Sequence, residues 1–408
     1  MTDAQHGTEV HFDPFSADFY GDPHAFYPRL RAEAPVYYND TYEFYALSRH
    51  ADVAAGLRDF ATFSSAYGVD LGMVRRGEKV PAKMLISIDP PEHRAMRSLV
   101  NKVFTPRAIE ALRAMVDQTV DRFLSVARDG ECSTFDVVQD FSVYFPVDVI
   151  TQMLGVPEEY RQQVRLWIDE SLHREPGQID MSESGMQAMA DMWLMYYQLI
   201  QERRERPRED MISALIAAEV EREDGTIERL RDSEIAGFAT LLGGAGAETV
   251  TKLIGSAAVA FARHPDQWRQ LLADRSKIGV AIEELLRYDA PVQYNVRRSN
   301  VDVTVHGVTI PAGAPVFLLG ASANRDPEAW TAPDVFDIHR DRSEAPNLAF
   351  GYGIHSCLGA ALARLEGAIA LDKLLDLMPR YEVQWDGCRR VSMQNVSGWS
   401  HVPVRILR

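Results

Sequence analysis

One cysteine, Cys357, constrains this chain more than any other residue, because it lies between a glycine-rich loop and a long apolar-periodic helix. The loop reads Phe350-Gly351-Tyr352-Gly353-Ile354-His355-Ser356-Cys357-Leu358-Gly359. Glycines let backbone N–H groups approach the sulfur closely, and the start of a helix adds unpaired donors and a partial positive charge. Both features lower the pKa of a thiol. The segment therefore predicts a stabilised thiolate, the form of cysteine that binds metal.

The two other cysteines, Cys132 and Cys388, lack such surroundings, and we interpret them as structural residues. Three cysteines cannot build a disulfide framework, which fits a reducing cytoplasm. The first residues are polar and lack the basic and apolar regions of a signal peptide. No apolar run approaches the ~18–20 residues that span a bilayer. We therefore expect a cytoplasmic protein that does not associate with a membrane.

The cysteine loop resembles the cysteine-ligand loop of the cytochrome P450 family. It matches at every defining position of that motif, which are Phe350, Gly351, Gly353, His355, Cys357 and Gly359. The resemblance implies that Cys357 is the thiolate ligand of the iron of haem b (iron protoporphyrin IX). It also implies that Phe350, Gly351 and Gly359 are cofactor-binding residues. A thiolate ligand pushes electron density onto haem iron and favours cleavage of the O–O bond.

The expected fold class is mainly α with minor β, in the arrangement of the cytochrome P450 fold. Haem would lie between a long central helix and the cysteine-ligand loop. A chain of 408 residues is longer than most single hydrophobic cores, which divide beyond about 250–300 residues. The resemblance nevertheless implies one domain over residues 1–408, and we expect a monomer.

Periodicity supports this class, because helical patterns dominate the middle of the chain. We predict helices over 92–127, 136–153, 158–174, 186–206 and from Asp232 to about Arg263, where His264-Pro265 ends the pattern. Alternation predicts strands at 36–38, 43–47, 301–305 and 308–310, and again after Tyr381. The stretch 64–84 has no clean period and is predicted to be a long loop.

The predicted helix from Asp232 contains three glycines within four residues. Each glycine costs about 1 kcal/mol against alanine in a helix interior, so we expect another backbone or a flat group such as haem to pack closely there. A threonine hydroxyl can also bond the carbonyl one turn earlier, and so help to open the helix to water and oxygen. The cytochrome P450 family has the same pattern at Ala245, Gly246, Ala247, Glu248 and Thr249. The resemblance implies that Thr249 steadies dioxygen, that Glu248 helps to deliver protons and that Ala245 borders the haem.

Haem carries two propionates, so its pocket needs cationic donors. His93 and Arg97 lie one turn apart on the same face of a predicted helix. By resemblance, the propionate partners are His93, Arg97, Arg297 and His355. Arginine suits carboxylates because of its bidentate geometry. Arg298 remains the alternative to Arg297, since successive strand residues face opposite ways.

Glu284 and Arg287 form an acid–base pair at i, i+3 on another predicted helix. An exposed pair of this kind contributes only a few tenths of a kcal/mol. In the family, however, this pair is buried behind the cysteine loop and is joined by a later arginine or histidine. That residue is His339 or Arg340 in this chain, and we expect a structural network. Removing one partner of a buried ion pair can cost about 3–5 kcal/mol.

The substrate pocket is expected where the loop 66–86, the face of the helix from Asp232, and the segments 292–296 and 394–397 meet under a lid at 170–190. The candidate substrate-binding residues are Phe238, Leu241, Leu242, Ala245, Val292, Asn295, Val296 and Val396. These side chains are mainly apolar. They predict a mid-sized hydrophobic molecule of terpenoid, steroid, fatty-acid or polyketide type, without choosing among these.

The net charge of −16 argues against nucleic acid as a partner, because phosphate binding needs a basic surface. The resemblance implies that electrons come from NAD(P)H through a separate ferredoxin reductase and ferredoxin, because no flavin or ferredoxin segment is evident. An acidic ferredoxin would need a local basic patch. Candidates for that patch are His93, Arg94, Arg97, Lys102, Arg107 and Arg364.

These observations predict a haem-thiolate monooxygenase that activates O2 and hydroxylates or epoxidises its substrate. One alternative is a peroxide-driven haem-thiolate peroxygenase. Peroxide already carries both electrons and protons, so Glu248 and Thr249 would have no use there. The other alternative is a haem protein that binds or senses a ligand without turnover, and a proton-relay pair would again have no role.

Overall fold

The computed structural model describes residues 10–80, 84–101, 103–129, 134–221 and 225–407. About 53% of the chain is helical and 13% is strand, which confirms the expected class, mainly α with minor β. Lys102 and Cys132 lie outside the described residues. Within the described part of the chain, no helix is both long enough and apolar enough to cross a membrane.

The α-helices of the described residues are α1 Ala17–Gly21, α2 Tyr27–Glu33, α3 His50–Arg58, α4 Leu71–Arg75, α5 Glu92–Asn101, α6 Pro106–Glu110, α7 Arg113–Asp129, α8 Phe145–Leu154, α9 Glu158–Leu172, α10 Glu183–Glu205, α11 Met211–Ala217, α12 Asp232–Arg263, α13 Pro265–Ala273, α14 Ile278–Tyr288, α15 Gly320–Ala323 and α16 Ala360–Leu377. The predicted ends of α12 agree with the structure.

The strands are β1 Val36–Asn39, β2 Phe44–Leu47, β3 Phe63–Ser64, β4 Thr134–Asp136, β5 Glu219–Glu221, β6 Ile227–Arg229, β7 Asn295–Ser299, β8 Val303–Val305, β9 Val308–Ile310, β10 Pro315–Leu318, β11 Tyr381–Val383, β12 Arg389–Arg390, β13 Trp399–His401 and β14 Pro403–Ile406. The largest sheet has the order β1-β2-β10-β7-β3. In this sheet β10 runs parallel to β2 and antiparallel to β7, with Val316 opposite Arg297. The predicted hairpin is β8–β9.

Three predicted segments differ from the structure. The predicted helix 136–153 is interrupted, because Val138–Ser142 form a π-helix and α8 begins only at Phe145, with a proline in its first turn. The predicted helix 92–127 is divided, because the Thr105 side chain accepts the Ala108 N–H (3.2 Å) and Pro106 occupies the first turn of α6. The predicted loop 64–84 contains α4. Its N-terminal cap is Asp70, which accepts the Met73 N–H at 2.7 Å.

Helix α12 lies at the centre of the helical part and is buried along most of its length. It packs against α8, α9, α10 and α16. A helix that is apolar on nearly all sides belongs in the interior of a protein. The C-terminal half of α12 packs against α16, where Leu253 meets Gly367, and α16 follows the cysteine loop.

Candidate functional site

The Cys357 loop is held by backbone geometry that glycine makes possible. Gly351 and Gly353 have φ values of 67° and 78°, which disfavour other residues. A Cβ atom at Gly353 would lie 2.9 Å from the Leu57 carbonyl oxygen. The Cys357 N–H donates to the Phe350 carbonyl at 2.8 Å, and α16 begins three residues after the cysteine. The loop therefore holds the Cys357 thiol at a fixed position.

The protein groups around Cys357 do not by themselves favour the thiolate. Burial raises the pKa of the Cys357 thiol, and the backbone N–H of Gly359 and the charges of Arg97 and Arg364 only partly oppose that effect. The expectation that the loop lowers this pKa is therefore wrong for the polypeptide alone. The physical reason is desolvation, which outweighs the nearby donors. A metal ion would supply the missing positive charge.

Two imidazoles beside the loop have nitrogen atoms without an acceptor. The rings of His93 and His355 lie 4.4 Å apart, and the Nε2 atom of each is buried without a hydrogen-bond partner. Burial, with the charge of Arg97, lowers the pKa of His93 to about 4. Burial, with the charges of Arg297, His93 and Arg97, lowers the pKa of His355 to about 2. Both rings are therefore neutral at pH 7 and can donate one N–H each.

Two guanidinium groups complete this donor cluster. Arg97 Nη2 donates to the carbonyl of Ser356, next to Cys357, at 2.8 Å. Arg297 on β7 is 6% exposed, and burial lowers its pKa to about 10. Its Nη1 donates to the Val296 carbonyl (2.9 Å), and no carboxylate of the described residues lies within ion-pair distance. Donors buried without acceptors are rare and costly. This donor set fits the two propionates of haem.

Arg298, the alternative to Arg297, has a different environment. The Arg298 guanidinium lies over the ring of Tyr67, 4.0 Å from its centroid. Successive residues of a strand point to opposite faces, so Arg297 and Arg298 cannot both join the donor cluster. The electrostatic effect of Arg297 on His355 places Arg297 on the cluster side.

The three glycines of α12 make room for different neighbours. A Cβ atom at Gly243 would lie 2.7 Å from the hydroxyl of Tyr196 on α10, and one at Gly246 would lie 3.1 Å from Ile150 on α8. A Cβ atom at Gly244 would have nothing within 4 Å. The expectation that these glycines admit a flat group is thus wrong for Gly243 and Gly246, which admit side chains of packed helices.

Thr249 and Ala245 lie on the accessible side of α12. Ala245 is exposed and Thr249 is partly exposed. The Thr249 hydroxyl donates to the Ala245 carbonyl at 3.2 Å, the bond that its spacing predicts. The helix nevertheless continues without interruption from Asp232 to Arg263, so the expected opening is not a break in α12.

Glu248 lies in a different environment from Thr249. It is buried at 4% exposure and forms an ion pair with Lys252 one turn later. Asp169 on α9 is close enough for burial and the Glu248 charge to raise its pKa to about 6, although Arg165 binds it at 2.9 Å. Asp169 is only partly buried. Glu248 and the partly exposed Asp169 are thus two carboxylates that act on each other electrostatically across the contact of α9 with α12. Neither Lys252 nor Asp169 was found from the sequence. The i, i+4 spacing of Glu248 and Lys252 could have indicated their ion pair, whereas only the packing of α9 on α12 brings Asp169 near Glu248.

The acid–base network behind the cysteine loop is buried. Arg287 donates to both oxygens of Glu284 at 2.8 Å. Arg340 reaches the same carboxylate at 3.2 Å, whereas His339 contacts Gln270 at 2.6 Å. Arg340 therefore completes the network. A cavity of about 220 Å³ borders it, and because its lining is rich in charged side chains it does not suit an apolar substrate.

The candidate substrate-binding residues fall into two groups. Leu241, Ala245, Val292 and Asn295 are partly or fully accessible. Phe238, Leu242, Val296 and Val396 are buried in apolar clusters. Val292 and Val396 form a β-bridge, so the segments 292–296 and 394–397 do meet as expected.

A buried arginine in the expected lid was not singled out from the sequence. Arg174 lies just after α9 and is 1% exposed. Its backbone N–H donates to the carbonyl of Ser392 at 3.0 Å. The charges of Asp70 on the loop 66–86 and of Tyr294 in the segment 292–296 act on it. An arginine in an irregular segment has no periodic signal that would predict burial.

Comparisons with known proteins agree with these observations. The family model for cytochrome P450 matches residues 37–387. A protein of Mycobacterium tuberculosis assigned to the cytochrome P450 family as number 123 is 41% identical, over 98% of this chain and 97% of that protein. The vitamin D(3) 25-hydroxylase of Pseudonocardia autotrophica is 38% identical, over 90% of this chain and 89% of that protein. The crystal structure of CYP109E1 from Bacillus megaterium in complex with testosterone superposes with a TM-score of 0.86 at 32% identity, covering 96% and 99% of the two chains.

Proposed function

The chain belongs to the cytochrome P450 family and is a monooxygenase of that family, and from this premise we propose its reaction, cofactor contacts and partners. The reaction is hydroxylation or epoxidation of a mid-sized hydrophobic molecule with O2. Haem b is held through Cys357. Electrons come from NAD(P)H through a separate ferredoxin reductase and ferredoxin.

The donor cluster is the observation that carries this proposal. His93 and His355 keep buried nitrogens without acceptors, and the buried guanidinium of Arg297 has no carboxylate partner among the described residues. Arg97 bridges the cluster to the cysteine loop. Such a set is stable only with a bound acidic group. In our proposal these four residues bind the propionates, and Phe350, Gly351, Gly359 and Ala245 border the macrocycle.

Haem with a thiolate ligand supplies dioxygen activation and O–O cleavage when it is bound. The contribution of the chain is to position donors and move protons. The Thr249 hydroxyl, on the accessible side of α12, holds a proton for dioxygen. Glu248 passes protons to it from the side of Asp169, and must leave Lys252 to do so. A peroxygenase would need no such proton donor, and neither would a ligand sensor.

Two properties of relatives support the substrate class. One relative is a vitamin D(3) hydroxylase, and one similar structure contains testosterone. Both molecules are apolar and of middle size. The accessible residues Leu241, Ala245 and Val292 offer an apolar surface for a molecule of this kind.

The basic patch for a ferredoxin is smaller than the sequence predicts. Arg94 and Arg107 are exposed, whereas Arg364 is paired with Glu283 and its guanidinium lies over Phe350. The other described candidates turn towards the interior. In our proposal Arg94 and Arg107 contribute most of the attraction for an acidic partner.

Carbon monoxide binding to the reduced protein tests the proposal. We expect the strongly red-shifted Soret band of a thiolate haem, and Cys357→Ala should lose it. Cys388→Ala is the matched control and should keep the band, because Cys388 packs against the apolar core and its sulfur donates to the Gln384 carbonyl (3.8 Å). If Cys357→Ala retains the band, the ligand assignment is wrong. Product formation coupled to NAD(P)H consumption then separates a monooxygenase from a peroxygenase and from a sensor.

A further inference from the structure

Arg174 lies where several pocket-forming segments meet. It belongs to the loop 173–182 between α9 and α10, and its carbonyl accepts the Ser392 hydroxyl at 2.5 Å. Leu172, two residues earlier, accepts the Gln394 N–H at 3.1 Å. Tyr294, next to the accessible Asn295, donates its hydroxyl to the Gln394 carbonyl at 2.7 Å. The backbone at Arg174 is therefore joined to segments that are expected to border the substrate pocket, and we call this part of the pocket its roof.

Only one side of this guanidinium is bonded. Nη1 donates to the carbonyls of Ser171 (2.9 Å) and His173 (2.7 Å). Nε is buried without a partner, and Nη2 makes no hydrogen bond to any described residue. Arg203 and Arg287 are equally buried, and each has a carboxylate at 2.5–2.8 Å. Arg174 thus leaves free the edge whose two parallel N–H groups match a carboxylate.

A third buried donor without an acceptor belongs to Tyr20, on which the Arg174 charge acts. The hydroxyl of Tyr20 on α1 is buried and has no hydrogen-bond partner. Burial raises the pKa of Tyr20 to about 12, so the hydroxyl keeps its proton, and the Arg174 charge acts on it. Three donors and no acceptor are the complement of an anionic oxygen group.

The acidic residues nearby do not satisfy Arg174. Asp70 and Asp180 act on its charge from a distance, and neither lies within 4.0 Å of it. Asp70 instead caps α4 by accepting the Met73 N–H at 2.7 Å, and Asp180 lies 4.0 Å from Arg76. Asp13 acts on Tyr20 and on Tyr294. Their combined charge weakens the attraction of this site for an anion, but leaves its donors unpaired.

We propose that Arg174 and Tyr20 bind a carboxylate on the substrate, which makes an apolar carboxylic acid the preferred substrate class. This inference rests on the proposed monooxygenase function. The acid would accept N–H groups from Nε and Nη2 of Arg174 and the O–H of Tyr20. Its apolar part would extend from the roof towards Leu241 and Ala245 on α12. A buried guanidinium without a partner is costly, and a carboxylate removes that cost.

A matched pair of ligands tests the carboxylate site. Palmitic acid and methyl palmitate share their apolar chain, and their affinities can be measured by the Soret shift and by calorimetry. We expect the intact protein to bind the acid about tenfold more tightly than the ester. This is the lower end of the range for a charge-assisted hydrogen bond, because the charges of Asp70 and Asp180 oppose the binding of an anion. Arg174→Gln should abolish this preference and leave the ester affinity unchanged. Tyr20→Phe should reduce the preference by a few-fold.

The controls separate the possible failures. Arg75→Gln removes an exposed arginine of α4 that pairs with Glu43, and should keep the full preference. If Arg174→Gln fails to bind haem, the ratio of acid to ester affinity in Tyr20→Phe decides whether the carboxylate site exists. Equal affinities in the intact protein, or a preference that survives Arg174→Gln, overturn the carboxylate site. Loss of the red-shifted carbon monoxide band in the intact protein instead overturns the proposed function.

Discussion

The side chains next to Cys357 carry donors that the polypeptide leaves unpaired. Arg97 is the member of this group that also touches the cysteine loop, through the Ser356 carbonyl. Its loss removes a proposed propionate partner and a contact that fixes the loop. Arg94, three residues earlier on α5, is exposed and makes neither contact.

We therefore expect Arg97→Ala to purify with less haem than Arg94→Ala. The ratio of Soret to protein absorbance, and the rate of haem transfer to apomyoglobin, measure this difference. Haem transfer should be faster by tenfold or more in Arg97→Ala. Equal haem content and equal transfer rates in the two variants would show that this face of α5 does not hold the cofactor.

Thr249 and Thr251 provide a matched pair on α12. Thr249 lies on the accessible side, whereas Thr251 is buried and donates to the Ser142 carbonyl at 2.7 Å. In Thr249→Ala we expect substrate binding and NAD(P)H consumption to persist, with much of the consumption released as hydrogen peroxide. Groups that transfer protons typically contribute ~10²–10⁴-fold. Product and peroxide per NAD(P)H are the measurements.

Thr251→Ala should lose some stability but remain coupled. Glu248→Gln should slow turnover with less peroxide release, because it limits proton supply and preserves the helix. If Thr249→Ala and Glu248→Gln both stay fully coupled at the parent rate, the proton-relay role is wrong and the peroxygenase alternative gains support.

Among the elements, α12 shows that neighbouring glycines can serve unrelated purposes. Gly243 faces the Tyr196 hydroxyl, and Gly244 faces open space. Gly244→Ala should raise the free energy of unfolding by up to about 1 kcal/mol, because alanine favours a helix and meets no clash. Gly243→Ala should lower it by about 1–3 kcal/mol through overpacking. Urea denaturation measures both values.

Tyr196→Phe removes the hydroxyl that a Cβ atom at Gly243 would meet. The combination of Tyr196→Phe and Gly243→Ala should therefore recover part of the lost stability. If Gly243→Ala alone is as stable as Gly244→Ala, then α10 adjusts freely and the packing explanation is wrong.

The contact between α9 and α12 has a pH-dependent element in Asp169. Burial and the Glu248 charge raise its pKa to about 6, against the opposing charges of Arg165 and Lys252. In the unfolded chain an aspartate carboxyl ionises near pH 4. The folded protein therefore favours the neutral form of Asp169, and this contribution to stability is lost as the pH rises from about 4 through 6. Asp169→Asn should therefore raise the melting temperature at pH 8 relative to the parent protein.

At pH 5 the gain from Asp169→Asn should shrink, because the parent acid is then largely protonated. Thermal unfolding at the two pH values gives the comparison. A difference of the same size at pH 5 and pH 8 would show that the substitution acts through packing alone.

At the scale of the whole molecule, one buried ion network ties α14 to the irregular segment 324–340. Glu284 accepts from Arg287, Arg340 and the Asp337 N–H, while Arg287 also donates to the Asn324 carbonyl at 2.8 Å. Glu284→Gln leaves two guanidinium groups without their counter-charge. We expect a loss of about 3–5 kcal/mol in unfolding free energy.

The adjacent Glu283 offers the control. It pairs with Arg364, which is largely exposed, so Glu283→Gln should cost less than about 1 kcal/mol. Urea denaturation of both variants gives the two values. Equal losses of unfolding free energy in the two variants would show that the buried Glu284 network contributes no more stability than the Glu283–Arg364 pair.

The parts of this molecule that could be predicted from the sequence are those encoded by adjacent residues. The ends of α12, the cysteine loop and the Thr249–Ala245 bond depend on local patterns such as His264-Pro265. The approach of Asp169 to Glu248, the neighbours of Gly243 and Gly246 and the burial of Arg174 depend on which segments meet. Residue periodicity does not specify those contacts. The choice of Arg340 over His339 likewise needs the path of an irregular segment.

The hydrogen bonds that hold the loop 173–182 have a consequence for the kinetics of ligand binding. Gly177 donates to the Phe15 carbonyl at 2.7 Å, while His173 and Arg174 are joined to Met393 and Ser392. The loop can move away only when hydrogen bonds to two segments from distant parts of the sequence break. We therefore expect the residence time of a bound molecule to depend on these hydrogen bonds as well as on the residues that contact it. The rate of ligand exchange at this roof then depends on the hydrogen bonds that join the outer segments of the chain.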